Sequence, residues 1–474
     1  MSAVLKTDIA IIGAGAGGLS VAAGAVQMGA RVILIESHQM GGDCLNYGCV
    51  PSKALLAAAK TAHSIRHADD FGIQSQRPEI DIPTVMASVQ KVINKLAVHD
   101  SVERFEKLGV KVLSASAAFV DGHTILAGDT SIQARRFVIA TGSTPAVPPI
   151  PGLTEVKFYT NESIFGLTEH PQHLIIIGGG PIGCELAQAF LLLGVKVTVI
   201  EGSTILPRDE QDLVATLRAT LLSEGLNLYE QAKVMEVQSY DEMIAVSLEH
   251  AGEKITLQGS HLLIATGRRP NINQLNLAAA HIKYSAQGIT VNSRLRTSNS
   301  HVYAMGDVIG SYQFTHIAGY HAGIILRNIL FRLPAKVNYT AVPWVTYTQP
   351  ELAHVGLSSV EALKLDPHIK VFTCEFANND RAQTERESVG KIKLITNKKG
   401  LILGVTILGP QAGELLAPWI SAIQNKKTVR TLTEIIIPYP TLSEINKRVA
   451  SEYYMPLLFS ECIKKIVKFL NFFG

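Results

Sequence analysis

The sequence predicts an α/β fold in which two parallel-sheet domains of one pattern precede a C-terminal α+β domain. Three observations carry that expectation. A glycine-rich turn between an apolar strand and a helical stretch occurs twice, at Gly13 and at Gly178. Two later apolar strands, Phe137-Val-Ile-Ala-Thr-Gly142 and Leu262-Leu-Ile-Ala-Thr-Gly267, end in the same tripeptide. From about Val342 the pattern changes to strands of antiparallel character, such as Lys391-Ile-Lys-Leu-Ile and Leu401-Ile-Leu-Gly-Val-Thr-Ile.

The first unit reads Asp8-Ile-Ala-Ile-Ile, then Gly13-Ala-Gly15-Ala-Gly-Gly18, a helical stretch, and Arg31-Val-Ile-Leu-Ile-Glu36. The second reads His173-Leu-Ile-Ile-Ile, then Gly178-Gly-Gly180-Pro-Ile-Gly183, a helical stretch, and Lys196-Val-Thr-Val-Ile-Glu201. In both, 23 residues separate the first glycine from the terminal glutamate. This is the Rossmann-type dinucleotide-binding βαβ pattern. The first glycine of each triplet makes the sharp turn, the second lets backbone approach a pyrophosphate, and the third lets helix and strand pack closely. The helix N-terminus then offers free N–H groups and the positive end of its dipole to phosphate. Glu36 and Glu201 are placed to accept hydrogen bonds from an adenosine ribose. A carboxylate at Glu201 repels a 2′-phosphate, so the second unit is expected to prefer NADH to NADPH.

Each Ala-Thr-Gly strand would return the chain to its own sheet, placing Gly142 and Gly267 beside a nucleotide. Val302-Tyr-Ala-Met-Gly306-Asp307 reads as one more strand, whose terminal Asp307 suits a polyol hydroxyl. The stretch 143–152 is a proline-rich linker. The expected domains are therefore 1–150, 151–270, a return to the first over 271–340, and 341–474.

With 474 residues the chain is long enough for about three domains of ~150 residues. Its 47% apolar and 18% charged residues exclude disorder, collagen and a small disulfide-stapled scaffold. A net charge of +3 gives no electrostatic case for binding nucleic acid. The start around Lys6 has no basic n-region and breaks at once into the glycine turn, so it reads as a first strand and not as a signal peptide. Five cysteines in so long a chain point to the reducing cytosol, and the expected location is cytoplasmic.

Two of those cysteines lie close together in Gly41-Gly-Asp-Cys44-Leu-Asn-Tyr-Gly-Cys49-Val-Pro51-Ser-Lys53. Five positions apart on an ideal helix, their Cα atoms would be roughly 8.6 Å apart. A disulfide tolerates ~4.4–6.8 Å. If the two bond, the helix is distorted there, and Gly48 and Pro51 suit that distortion. A strained disulfide of this kind is labile and redox-active. A pair of reduced, buried cysteines or half a zinc site are the alternatives. The spacing suits zinc poorly, Cys184, Cys374 and Cys462 form no second pair, and no metal site is expected.

The cysteine segment between two nucleotide units resembles the FAD-dependent pyridine nucleotide–disulfide oxidoreductases, which include dihydrolipoamide dehydrogenase, glutathione reductase and mercuric reductase. The likeness runs from about residue 5 to residue 455. It implies two Rossmann-type domains plus a C-terminal α+β dimerisation domain, and a homodimer. It implies FAD on Gly13, Gly15, Gly18, Glu36 and Asp307, and NAD(P)H on the second unit. Electrons would pass from nicotinamide to flavin to a Cys44–Cys49 disulfide, and on to a small-molecule or protein disulfide. By the same resemblance Cys49 faces the flavin, Cys44 meets substrate, and Lys53 lies near the flavin paired with Glu185, seven residues after Gly178. Phe314-Thr-His316-Ile-Ala318 resembles the family's helix start beside the flavin pyrimidine.

One departure stands out. Lipoamide and glutathione enzymes carry His-Pro-Thr-x-x-x-Glu, whose histidine serves the substrate-facing thiol across the dimer. Here Tyr439-Pro440-Thr-Leu-Ser-Glu444 occupies that place. A phenol titrating near pH ~10 donates hydrogen bonds at neutral pH and takes up no proton. Losing a positioned base typically removes ~10²–10⁴-fold in rate. That argues against efficient lipoamide turnover and leaves Glu444 without an imidazole to orient. Tyr439 reads either as a catalytic donor or as an interface cap. Mercuric reductases resemble the chain at the tyrosine, making a metal-ion reductase the alternative function, although the terminal cysteine pair and N-terminal Cys-x-x-Cys domain typical of them are not found. The apolar, lysine-bearing stretch 457–474 reads as a helix that packs on the dimer or lies on a membrane surface. In the latter case a membrane-associated electron-transfer flavoprotein becomes a further alternative.

Overall fold

The computed structural model describes residues 4–241 and 243–473. The chain forms two compact units. One comprises Met1–Gly178, Leu193–Lys196 and Lys233–Val337; the other comprises Gly179–Leu192, Val197–Ala232 and Asn338–Gly474.

The elements that build the first unit's main sheet are β1 (Leu5–Ile12), α1 (Ala16–Gln27), β2 (Val32–Glu36), α2 (Gly42–Asn46), α3 (Cys49–Arg66), β3 (Lys111–Ser114), β4 (Ala117–Phe119), β5 (Thr124–Ala127) and β6 (Thr130–Ile139). Later come β7 (His173–Ile177), α4 (Pro181–Leu192), β8 (Lys196–Ile200), β9 (His261–Ile264), β10 (Val302–Ala304) and α5 (Thr315–Ile329). The main sheet runs β3-β2-β1-β6-β5-β4, with β10 added against β6. Strands β1, β2, β3, β6 and β10 are parallel, β5 folds back antiparallel beside β6, and β4 pairs antiparallel with β5 at the edge. Apolar residues on both faces of β1 and β2 follow from that layering, since a parallel sheet is covered on both sides. Ile9, Ile11 and Leu34 pack towards α1 and α5, while Ile33, Ile35 and Phe137 fill the opposite core.

Register sets the site. Ile12 pairs with both Ile35 and Ile139, and Ile139 pairs with Ala304. The Gly13 turn, Glu36, Gly142 and the Gly306-Asp307 turn therefore emerge at one edge, the carboxyl ends of parallel strands. Ligands of open α/β sheets bind at such edges. Glycine also sets helix approach. A Cβ on Gly17 would lie 2.7 Å from the Met305 side chain and 3.3 Å from Ala318 Cβ, so α1 and α5 meet closely here. In the same unit β7 and β9 pair in parallel, beside an antiparallel sheet of Lys233–Tyr240, Met243–His250 and Glu253–Gly259.

In the second unit β8 pairs in parallel with Asn227–Tyr229. Its C-terminal part is the expected antiparallel α+β layer. Strands β11 (Pro343–Thr346), β12 (Glu351–Gly356), β13 (Lys370–Glu375), β14 (Lys391–Thr396) and β15 (Ile402–Gly409) lie in the order β11-β12-β15-β14-β13. Trp419, Phe376, Leu394 and Val405 form its core with Ile445 of α6 (Glu444–Glu452). The last helix is α7 (Glu461–Leu470). No helix among the described residues is long and apolar enough to cross a membrane.

Candidate active site

At the β1–α1 turn, Gly13 has φ +104°, and a Cβ there would lie 2.4 Å from the Ala140 carbonyl oxygen. A Cβ on Gly18 would meet the Gly13 oxygen at 1.9 Å. Gly15 differs, because the nearest atom to an added Cβ is Gly42 Cα at 3.9 Å. Its lack of a side chain opens a cradle instead of relieving a clash. Gly15 is the N-cap of α1, with no side-chain cap and no acidic residue in the first turn. Free N–H groups at a helix start, facing an open glycine cradle, suit a pyrophosphate. Glu36 is braced at the end of β2: its Oε2 accepts the Ala14 N–H at 2.6 Å and its Oε1 the His38 N–H at 2.8 Å. Each oxygen keeps a lone pair for a ribose hydroxyl.

The second turn repeats this brace. Glu201 Oε2 accepts the Gly179 N–H at 2.7 Å, and Oε1 accepts the Ser203 N–H at 2.8 Å. Gly178 has φ +113°, with an added Cβ 2.4 Å from the Ala265 oxygen, whereas Gly180 is open. Gly183 lies buried in the first turn of α4. Gly267, at φ +121°, stands at the end of its Ala-Thr-Gly segment in the first unit.

The cysteine segment is broken as its composition suggests. Helix α2 ends at Asn46, Gly48 adopts φ −119° and ψ −110°, and α3 starts at Cys49 with Pro51 in its first turn. Both cysteines are free thiols in this structure, on either side of the helix break. The two sulfurs share a hydrogen bond that pulls Cys49 below the usual thiol range, to about 6, and pushes Cys44 well up. Thr315 Oγ1, 3.6 Å from Cys49 Sγ, and the Lys53 ammonium add to the lowering. Cys49 also heads α3, where a thiolate meets the positive dipole end.

Around this pair the structure assembles residues that the sequence did not single out. Arg268 Nη2 is 3.0 Å from Asp43 Oδ1 and donates to the Ser143 carbonyl at 2.8 Å. Its Nε donates to Ser143 Oγ at 2.7 Å and lies 3.8 Å from Asp307 Oδ2. Ser143 Oγ in turn donates to Asp307 at 2.6 Å. Asn161 donates to Asp43 Oδ1 and to the Tyr47 carbonyl, both at 3.1 Å. Burial pushes the Asp307 carboxyl up, against the hydrogen bond from Ser143. Gly142, at φ +68°, starts the segment that Asn271 pins through hydrogen bonds to Gly142 and to Thr141.

Helix α5 starts at Thr315 as expected, with Phe314 as an N-cap lacking a side-chain bond. Ala318 packs against Gly306, 3.3 Å from an added Cβ. The fully buried His321 accepts the Gly306 N–H on Nδ1 at 3.1 Å, and burial lowers it to about 4, so it is neutral. An open glycine cradle, a braced ribose acceptor, a half-buried polyol acceptor and an uncapped helix start beside a thiolate fit FAD.

The remaining expected residues lie in the second unit. Glu185 is buried on α4 and accepts the Tyr347 N–H at 3.0 Å. Tyr439 is 70% exposed and donates to Asp380 Oδ2 at 2.8 Å, a bond that raises its phenol further. Glu444 Oε2 accepts the Thr441 N–H at 3.4 Å. Both acids line a cleft of about 410 Å³ with Cys374, Lys447 and Arg448. No three His, Cys, Asp or Glu side chains among the described residues converge as metal ligands.

These features define a two-nucleotide flavin enzyme with a dithiol relay, and the chain belongs to the pyridine nucleotide–disulphide oxidoreductase family. The family's profile matches residues 7–322, and its dimerisation domain matches residues 342–450. The chain is 33% identical over 440 residues to mercuric reductase of Lysinibacillus sphaericus, covering 92% of this chain and 81% of that one. It is 31% identical over 445 residues to dihydrolipoyl dehydrogenase of Bacillus subtilis, covering 92% and 96%. The Cu(II) complex of the HOCl-induced flavoprotein disulfide reductase RclA of Escherichia coli superposes with a TM-score of 0.86 at 28% identity, covering 94% and 99%. The protein is an FAD-dependent, NAD(P)H-linked oxidoreductase with a redox-active cysteine pair, and it assembles as a homodimer through its C-terminal domain.

Proposed function

We propose that this enzyme draws electrons from NADH and delivers them through Cys44 and Cys49 to a disulfide substrate. When bound, FAD supplies the two-electron relay between nicotinamide and sulfur. The observation that carries the reading is the cysteine pair itself, set on either side of the helix break at Gly48, with Cys49 heading α3 3.6 Å from the Thr315 hydroxyl. Cys44 attacks one substrate sulfur as its proton moves to the departing sulfur, forming a mixed disulfide and releasing a thiol. Cys49 then attacks Cys44 Sγ, expelling the second substrate sulfur as a thiolate, which is protonated by water, and closing the Cys44–Cys49 disulfide. Tyr439, committed as a donor to Asp380, supplies no base to this exchange, which proceeds without the assistance an imidazole there would give.

Gly13, Gly15, Gly18, Glu36, Gly142, Gly306, Asp307 and Ala318 hold the flavin nucleotide in this scheme, with Lys53 close to its ring and partnered by Glu185. Gly178, Gly180, Gly183, Glu201 and Gly267 hold the nicotinamide nucleotide. The Glu201 carboxylate, fixed by two backbone N–H groups, supports NADH over NADPH. The division at 150, 270 and 340 and a cytoplasmic location complete the proposal, the latter supported by the presence of only five cysteines in a chain of 474 residues.

A second reading is favoured by the Tyr439–Asp380 bond. A thiophilic metal ion displaces thiol protons on its own and requires no imidazole, so reduction of such an ion is compatible with this site. Anaerobic reduction with NADH, followed by reoxidation with lipoamide, glutathione disulfide, Hg²⁺ and a quinone, separates the readings. Fast reoxidation by a disulfide that is abolished in both Cys44→Ser and Cys49→Ser supports the first. Turnover confined to the metal ion supports the second, and an undiminished rate in both variants refutes a sulfur relay.

A further inference from the structure

The segment beyond residue 450 lies outside the match to the dimerisation domain, and the activity just described does not use it. It is nonetheless well formed. Ser460 caps α7 by accepting the Ile463 N–H at 3.3 Å, and α7 continues for 10 residues. At 100° per residue, Cys462, Ile463, Ile466, Val467, Phe469 and Leu470 fall within an arc of about 160°. Glu461, Lys464, Lys465 and Lys468 fill the opposite side. Globular packing normally covers such an arc. Within the single chain, Phe459, Ile466, Phe469, Leu470, Phe472 and Phe473 are between 46% and 85% exposed. Contiguous apolar surface of this kind marks an interaction site.

We propose that α7 and its aromatic flanks seat the enzyme on an anionic lipid surface, with the helix axis in the plane of the interface. Charge selects this occupant. Lys464 pairs with Glu461 at 2.7 Å, whereas no carboxylate of the described residues is paired with Lys465 or Lys468. Pairing with a second copy of the helix would bring two net-positive elements together, while acidic headgroups supply the opposite sign. Lys464 and Lys465 lie within about 60° of the edges of the apolar arc, so their stems can lie along it while the ammonium groups reach the headgroups. Ten residues span about 15 Å, half a hydrocarbon core, so the helix lies on the membrane and does not cross it.

The test is flotation of the full-length FAD enzyme with phosphatidylcholine vesicles, with and without phosphatidylglycerol, alongside two variants that retain NADH oxidation. Replacing Lys464, Lys465 and Lys468 with Gln is expected to lower partitioning onto anionic vesicles roughly 100-fold, at about 1 kcal/mol per basic residue and tenfold per 1.4 kcal/mol. Ile466→Asp with Phe469→Asp is expected to abolish it. The wild type should float with the anionic vesicles only. Failure to float, equal flotation with neutral vesicles, or loss of the dimer in the Asp variant without any lipid effect would overturn the proposal. None of these outcomes bears on which substrate the cysteine pair reduces.

Discussion

Thr315→Val isolates one support of the Cys49 thiolate. The Thr315 hydroxyl lies 3.6 Å from Cys49 Sγ at the start of α5, and Cys49 stands at about 6. At that value the sulfur is about nine-tenths thiolate at pH 7. A hydrogen bond to a charged group contributes ~1.5–3 kcal/mol, and one pKa unit corresponds to ~1.36 kcal/mol. Removing this donor should therefore raise Cys49 by about one to two units, leaving between about half and a tenth as thiolate at pH 7. Valine keeps the shape of threonine, so packing changes little. The assay is iodoacetamide alkylation against pH on the reduced enzyme, followed by mass spectrometry of tryptic peptide 32–53. Fragment ions of that peptide separate Cys49 from Cys44, and Cys462 falls on another peptide. An inflection that moves by less than about 0.3 unit would refute the idea that α5 holds the thiolate.

Other consequences follow from the same site. Arg268→Gln leaves Asp43 without its cation and should destabilise the protein by about 2 kcal/mol in denaturant titration, with Asp43→Asn in the same chain recovering more than half of the loss. Tyr439→Phe should change disulfide turnover less than about threefold, because a phenol raised by Asp380 serves as no base, whereas Tyr439→His should increase lipoamide turnover by up to ~10²-fold. If Tyr439→Phe removes activity, the phenol has a chemical role. His321 is lowered to about 4 in the fold, so between pH ~6.5 and 4 the unfolded chain binds the extra proton. Stability should then fall on acidification through that window by up to about 1.4 kcal/mol per pH unit, and His321→Gln should flatten the slope in thermal melts.

The two glycine turns, their glutamates, the returning strand at 302–304 and the antiparallel C-terminal layer could all be read from residues, because each is a local pattern of period, turn and spacing. The break at Gly48 was readable for the same reason. Arg268 was not: it reaches Asp43 across more than two hundred positions, and one of two adjacent arginines directly after Gly267 has no periodicity to report. Asn161, Ser143 and His321 escaped similarly, since polar residues that serve one distant partner look like any loop or helix residue. The bond from Tyr439 to Asp380 joins two positions 59 apart, and only folding reveals that the phenol is already engaged.

The contact between the first nucleotide turn and the cysteine helix has a further consequence. Gly42, at φ +61°, would place a Cβ 2.7 Å from Gly15 Cα, and Gly15 bridges to Gly41. Neither backbone can retreat, because one heads α1 and the other α2. A methyl group at position 42 would therefore push on the phosphate cradle and on the first turn of the thiol segment together. Mutational drift in this lineage should be channelled accordingly: the two motifs are bound by mutual epistasis, and a change in one finds no compensating substitution in the other.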